Sequence, residues 1–228
     1  MKLELLDVYN VRARMSASIL LLAPIPITFF FLFEEVHTFG TSSIILLVLL
    51  TLTNYIPILQ RTINSRRPSG INYAARLLEV NDNTLDTELK MRYYAKLSEL
   101  DKSFECFKKP EDTPKFKCAC ESAVAYLRNK TRNNHLVQEE NINFGFCKNL
   151  FAGKVAGIII SVLCAAFTGV FSMLKYRSFS EIPTQNYLAF ATDGLMLLFW
   201  VFFVTNKALE QTGIAYAKTL ISSIDTIN

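Results

Sequence analysis

The chain has 228 residues, of which 51% are hydrophobic and 19% charged, and its formal net charge is +4. The apolar residues are concentrated in four long blocks, a distribution that argues against an ordinary water-soluble domain. It predicts an all-α integral membrane protein with four transmembrane helices in two pairs and a helical hairpin inserted between the pairs.

The first two blocks, residues 16–33 and 43–60, contain no charged residue. A helix of roughly 20 apolar residues spans the hydrocarbon of a bilayer. Both blocks are apolar on all sides, whereas a surface helix of a soluble protein keeps a polar stripe. Pro24 and Pro26 predict a bend in the first helix. Asn54 is a polar residue of the second block and can hydrogen-bond to a neighbouring helix.

The second block is followed by the basic residues Arg61, Arg66 and Arg67, which we expect at the membrane interface. Apolar residues then recur every three or four positions, which predicts an amphipathic helix over residues 85–107. These residues are Leu85, Leu89, Tyr93, Leu97, Leu100, Phe104 and Phe107.

A second helix of this region is predicted to begin at Thr113, a capping hydroxyl, and Pro114, at the first helical position. The two helices are predicted to form an antiparallel hairpin. Two helices cannot cover both of their apolar stripes. The remainder requires residues 71–78, the C-terminal segment or a second copy of the chain, and on this ground we expect a homo-oligomer.

Residues 141–154 have aromatic and basic side chains, including Lys148 and Lys154. This composition is typical of a segment at headgroup depth, with the lysines near lipid phosphates. A simple linker explains the segment equally well.

The third and fourth blocks, residues 155–174 and 187–205, predict the second pair of membrane helices. Small residues recur at every fourth position of the third helix, which predicts a seam where two helix backbones approach closely. They are Gly153, Gly157, Ser161, Ala165 and Gly169. Asp193 is the one charged residue of the fourth block, and predicts either a pore-lining or proton-sensitive position or a span that starts later.

Lysine and arginine are concentrated at both ends of the chain and in its central region, whereas Lys175 and Arg177 are the basic residues of the opposite side. The positive-inside rule therefore predicts a plasma (inner) membrane protein with both termini in the cytosol. The predicted organisation is a cytosolic segment (1–15), two spans (16–60), a cytosolic helical domain (61–150), two spans (151–205) and a cytosolic amphipathic helix (206–228).

Residues that carry chemistry are few. Cys106, Cys118 and Cys120 do not have the spacing of a zinc site, so no metal and no cofactor is predicted. Arg128 and His135 resemble the arginine–histidine motif of HEPN-type ribonucleases, which implies a membrane-tethered nuclease as a third possibility. Without a phosphate-binding loop or a catalytic triad, we expect no enzymatic activity.

The layout of two spans, a cytosolic helical insert and two further spans resembles that of small bacterial four-span effectors of antiviral (anti-phage) defence systems. The resemblance implies an oligomer that permeabilises the inner membrane when its cytosolic domain receives a signal. The alternative is a membrane anchor that recruits a soluble cytosolic partner protein. The lipid bilayer is the expected partner in both cases, and nucleic acid is not expected.

Overall fold

The structure of the chain is a computed structural model that describes residues 8–34, 71–176 and 178–227. These residues are helical, with no strand among them, which confirms the all-α class for this part of the chain. In chain order the α-helices are α1 (Ser16–Leu22), α2 (Pro24–Leu32), α3 (Tyr73–Leu77), α4 (Thr87–Leu100), α5 (Pro114–Lys130), α6 (His135–Lys175), α7 (Thr184–Leu198) and α8 (Asn206–Ser222). Segments Asn10–Met15 and Phe199–Phe203 are π-helical, and Lys102–Lys108, Phe179–Glu181 and Ser223–Thr226 are 3₁₀-helical.

The chain divides into two compact units. The apolar unit comprises the described residues of 8–34, 145–176 and 178–209, and the charged unit comprises residues 71–144 and 210–227. Helices α6 and α8 each contribute to both units.

Three stretches of the described residues are long and apolar enough to cross a membrane: Asn10–Leu32, His135–Lys175 and Thr184–Phe203. The predicted span over residues 43–60 lies outside the described residues. Helix α6, with 41 residues, is about 60 Å long at 1.5 Å per residue, twice the thickness of bilayer hydrocarbon. Residues 141–154 are therefore the middle of one continuous helix and do not form a separate linker.

The two prolines do not break the first stretch, and the predicted bend stays a prediction. Ala23, between α1 and α2, keeps helical dihedral angles (φ −51°, ψ −38°). Its amide donates to the carbonyl of Ile19 at 2.8 Å.

The charged unit has its own apolar core, made of residues from α3, α4, α5, α8 and the segment Lys102–Lys108. Leu77 and Leu78 beside α5, and Leu220, Ile221 and Ile224 near the C-terminus, are fully buried in it. The chain's own helices thus cover the apolar stripes that a two-helix hairpin would leave exposed. The reason given above for a homo-oligomer no longer applies, and oligomerisation stays a prediction.

The predicted helix over residues 85–107 is wrong in its extent, because α4 ends at Leu100. Asp101 is extended (φ −154°, ψ 142°), and its carboxylate accepts a hydrogen bond from the amide of Ser103 at 2.7 Å. An aspartate side chain that accepts from a nearby backbone amide in this way favours the end of one helix and the start of another. Phe104 and Phe107 still enter the core, from the 3₁₀ segment Lys102–Lys108.

The predicted start of α5 is confirmed. Thr113 Oγ1 accepts a hydrogen bond from the amide of Phe116 at 3.2 Å, and Pro114 occupies the first helical position. The apolar stripe of α5 is buried, with Cys120 inside and Cys118 exposed, as their spacing of two on a helix requires.

Candidate polar site of the apolar unit

The interior of the apolar unit contains polar side chains. Those that are buried are Ser18, Thr28, Ser161, Thr168, Ser172, Asn186 and Asp193. An unpaired polar group costs several kcal/mol in an apolar environment. Such side chains are retained where they bond to one another or serve a function.

Asp193 of α7 is fully buried at the junction of α2, α6 and α7. Thr28 Oγ1 of α2 lies 3.0 and 3.1 Å from its two carboxyl oxygens. Thr168 Oγ1 of α6 lies 3.4 Å from one of them. The predicted functional residue is thus inside the helix packing rather than at the end of a span.

The hydroxyl of Thr28 has two acceptors within reach but only one hydrogen. Its Oγ1 lies 2.8 Å from the carbonyl oxygen of Pro24, one turn earlier, and about as close to Asp193. Threonine in a helix commonly donates to that preceding carbonyl. A hydrogen given to Pro24 is not available to Asp193.

A row of polar groups continues along α6 and α7 from Asp193. Asn186 Nδ2 donates to Ser172 Oγ at 2.8 Å, and Ser172 Oγ donates to the carbonyl of Thr168 at 2.7 Å. Asn186 also lines a cavity of about 460 Å³ at the end of the apolar unit where α7 begins. The remaining walls of the cavity are formed by Phe31, Leu32, Phe33, Glu34, Phe171, Lys175, Tyr176, Pro183 and Gln185.

The predicted seam of small residues is partly a contact surface. Gly153, Gly157 and Ser161 are buried, and a Cβ atom at Gly157 would lie 2.2 Å from Cε2 of Trp200. Glycine therefore leaves room for the indole beside α6 at this position, where a larger residue would clash with it. Trp200 is fully buried, and its indole N–H has no hydrogen-bond partner among the described residues.

Farther along α6 the buried face departs from the predicted row. Ala165 is half-buried, and a Cβ at Gly169 would have no atom within 4 Å. Thr168 and Ser172 are buried instead. A straight helix has 3.6 residues per turn, so a row taken at every fourth position drifts off one face within a few turns.

The two predicted interface lysines differ in their surroundings. Lys148 is exposed. Lys154 Nζ donates to the carbonyl oxygens of Val201 and Val204, at 3.2 and 2.8 Å. These carbonyls lie at the π-helical end of the stretch Thr184–Phe203, where they lack helical partners. A cation there also interacts favourably with the negative end of the helix dipole. Asn54, Arg61, Arg66 and Arg67 lie outside the described residues.

Sequence reasoning missed Thr28, Thr168 and Asn186 as companions of Asp193. Helical spacing contained part of the signal, since Asn186 and Asp193 are seven residues apart and share one face of α7. Thr168 and Ser172 stand four apart on α6 in the same way. Which helix faces which could not be derived from spacing.

The charged unit has a buried amine. Lys90 Nζ donates to the carbonyls of Glu79, at 2.8 Å, and Asp82. Burial lowers the pKa of Lys90, although the carboxylate of Asp82 opposes the shift. Burial also raises the pKa of the nearby Cys120 thiol to about 12, so the thiol stays protonated and unreactive. The amine therefore anchors the turn after α3 through these two carbonyls.

Arg128 and His135 have separate partners. The Arg128 guanidinium lies over the ring of Tyr216 at 5.9 Å, whereas His135 Nε2 lies 3.9 Å from the Glu139 carboxylate. Among the described residues, no cluster of His, Cys, Asp and Glu could hold a metal ion.

Comparison with known proteins adds no family to this picture. No family model, curated protein or solved structure matches the chain. Functional inference therefore starts from the contacts within each unit.

Proposed function

We propose that the chain is a non-enzymatic integral membrane protein that permeabilises the bilayer under the control of its charged unit. The supporting observation is the distribution of side chains in the apolar unit, where large apolar residues are exposed and polar ones are buried. Soluble proteins rarely expose continuous apolar surface of this kind. The exposed residues include Val155, Ile159, Leu163, Val170, Leu174, Leu188, Leu195, Phe202 and Phe203.

In this proposal the three membrane-length stretches and residues 43–60 form four spans of the plasma membrane. The basic residues at both ends and in the central region favour a cytosolic position for the termini and the charged unit. Lipid then satisfies the exposed apolar faces, and buried hydroxyls, amides and the carboxyl satisfy one another.

Among the described residues of a single copy, Trp200 packs against Gly157 and Asp193 is fully buried. Permeation therefore requires several copies around a shared path, or a rearrangement that the charged unit triggers. A homo-oligomer is part of the proposal for this reason. The charged unit, which has a core of its own, is the sensing or docking part.

The test is leakage from vesicles of anionic lipid that hold the purified full chain and an enclosed dye. We expect leakage from the wild type and altered leakage from Asp193→Asn. Thr192→Val is the matched control, since Thr192 is the partly exposed neighbour of Asp193 on α7 and its hydroxyl donates to the carbonyl of Leu188. Chain that stays folded in buffer without detergent, or vesicles that retain their dye under all conditions, would contradict the proposal.

A membrane anchor for a soluble partner is the second candidate. The self-contained core and charged surface of the charged unit favour it, because such a unit can dock a protein without any permeation. An anchor predicts tight vesicles and a co-purifying protein. A role in anti-phage defence, which rests on the layout, predicts that expression in bacteria lowers phage yield together with the membrane potential.

A further inference from the structure

We infer that Asp193 is a proton-binding site inside the membrane, reached from the cavity that Asn186 lines and closed on the other side by Trp200. This inference rests on the proposed function, because it requires the apolar unit to lie in lipid. The species that binds at the site is a proton.

An ionised Asp193 would have too few hydrogen-bond donors around it. An ionised carboxylate offers about four acceptor positions and no hydrogen. The described donors to it are Thr28, whose single hydrogen is within reach of Pro24, and Thr168 at 3.4 Å, a long contact. A charged carboxylate here would be poorly solvated.

A neutral carboxylic acid satisfies the same atoms. Its own O–H donates to Thr28 Oγ1, and the Thr28 hydroxyl donates to the carbonyl of Pro24 at 2.8 Å. Each hydrogen then has one acceptor, along a chain from Asp193 through Thr28 to the backbone. Thr168 completes the site from α6.

The titratable groups near the carboxyl do not include a cation that would neutralise an ionised Asp193 in place of a proton. The thiol of Cys164 interacts with both Thr28 and Asp193. Among the described residues, no lysine, arginine or histidine interacts with Asp193. Glu34 and Lys175 stand at the cavity.

Protons reach Asp193 from the cavity, because polar side chains line the path between the two. Between the cavity and Asp193, about 10 Å along α7, Asn186, Ser172 and Thr168 supply a polar atom at each turn. In the opposite direction lies Ser161, whose hydroxyl donates to the carbonyl of Gly157. Trp200 covers Gly157, and Leu21, Leu150 and Val204 form an apolar cluster with the indole.

The experiment uses the full chain in lipid nanodiscs and dicyclohexylcarbodiimide, an apolar reagent that modifies protonated carboxyls. Mass spectrometry locates the adduct. We expect modification at Asp193 that declines as the pH rises, is unaffected by sodium, and is lost in Asp193→Asn. Thr28→Ser keeps the hydroxyl and should react as the wild type, whereas Thr28→Val should change the pH dependence.

Infrared spectroscopy tests the access side, through the rate at which the protonated-carboxyl band of Asp193 shifts in heavy water. Asn186→Leu should slow this exchange at least several-fold, and Tyr187→Phe, an exposed neighbour, should not. Absence of the adduct at every pH, protection by sodium, or unchanged exchange in Asn186→Leu would each overturn the inference.

Neither measurement depends on permeation. If the vesicles leak but Asp193 stays unmodified, this inference is wrong and the proposed function stands. If the vesicles do not leak but Asp193 is modified, the proposed function is wrong and the proton site stands.

Discussion

The charged unit buries apolar side chains and exposes charged ones, whereas the apolar unit exposes large apolar side chains and buries hydroxyls, an amide and a carboxyl. The same chain thus follows two opposite rules. In water, burial of apolar surface stabilises by about 25 cal/mol per Å². In lipid that driving force vanishes, and close backbone packing and internal hydrogen bonds hold helices together.

Under the proposed function, the two units therefore lie in different solvents, the apolar unit in lipid and the charged unit in water. Trp200 and Gly157 illustrate the close packing of the apolar unit, and Leu97 and Leu127, both fully buried, illustrate the core of the charged unit. If the assignment is right, similar substitutions should have different effects in the two units.

The largest effect is expected from truncating the charged unit's core. Leu127→Ala removes a fully buried side chain and should lower the free energy of unfolding of this unit by about 2–5 kcal/mol. Hydrogen exchange followed by mass spectrometry would show faster exchange in residues 71–144. Trp200, the sole tryptophan of the chain, reports on the apolar unit through its fluorescence and should stay unchanged.

Leu136→Ala is the control for that experiment, because Leu136 is 69% exposed, and its truncation should change stability by less than about 0.5 kcal/mol. Equal disturbance of both units by Leu127→Ala would mean that they do not fold separately.

Charge placed on an exposed apolar residue distinguishes the two solvents. Leu195 on α7 is 66% exposed and Met91 on α4 is 52% exposed. Leu195→Arg should make the free energy of membrane insertion less favourable by about 2.5–3.5 kcal/mol, because arginine in the middle of a span is costly in lipid. Met91→Arg should leave insertion unchanged. The measurement is the membrane-bound fraction of newly made chain, and equal fractions for both variants would place Leu195 in water.

A glycine pair on α6 tests the packing of the apolar unit. Gly157→Ala places a Cβ atom 2.2 Å from the Trp200 ring and should cost about 1–3 kcal/mol of stability. Gly169→Ala meets no atom within 4 Å and should be neutral or stabilise slightly through its helix propensity. Thermal unfolding followed by Trp200 fluorescence measures both. An unchanged emission in Gly157→Ala would refute the contact.

The sequence predicted the helical segments better than it predicted the tertiary contacts between them. Blocks with at most one charged residue identified three membrane-length stretches, because the thickness of a bilayer constrains composition strongly. Thr113 and Pro114 marked the start of α5 because capping is local. The break at Asp101 was missed, since an apolar stripe continues through the 3₁₀ segment with the same spacing.

The candidate site was predicted only in part. Asp193 stood out by its charge, but Thr28, which lies 165 positions away, depends on tertiary packing. Trp200 was missed because an aromatic residue in an apolar span is unremarkable until its contact with Gly157 is known.

The smallest effect is expected on the water-exposed surface of the charged unit, where Asp225 accepts hydrogen bonds from Lys96, at 2.7 Å, and Arg92. The hydrogen bond from Lys96 and the positive charges of both partners hold the pKa of Asp225 below its usual range. A carboxyl whose folded pKa is lowered stabilises the fold above its unfolded pKa of about 4, and this stability disappears as the pH falls toward the folded pKa. Both partners are largely exposed, so the contribution is discounted to about 0.5–1 kcal/mol.

Asp225→Asn should therefore lower the free energy of unfolding of the charged unit at neutral pH and have little effect once the pH has fallen below the lowered pKa of Asp225 in the folded chain. Added salt should reduce the difference between variant and wild type, because water and ions screen an exposed ion pair. Ser122→Ala, an exposed change on α5, serves as the control. A difference that persists in high salt would mean that the pair is shielded from water. In that case the surface of the charged unit around Asp225 is covered, and the contrast between the two units is weaker there than the fold suggests.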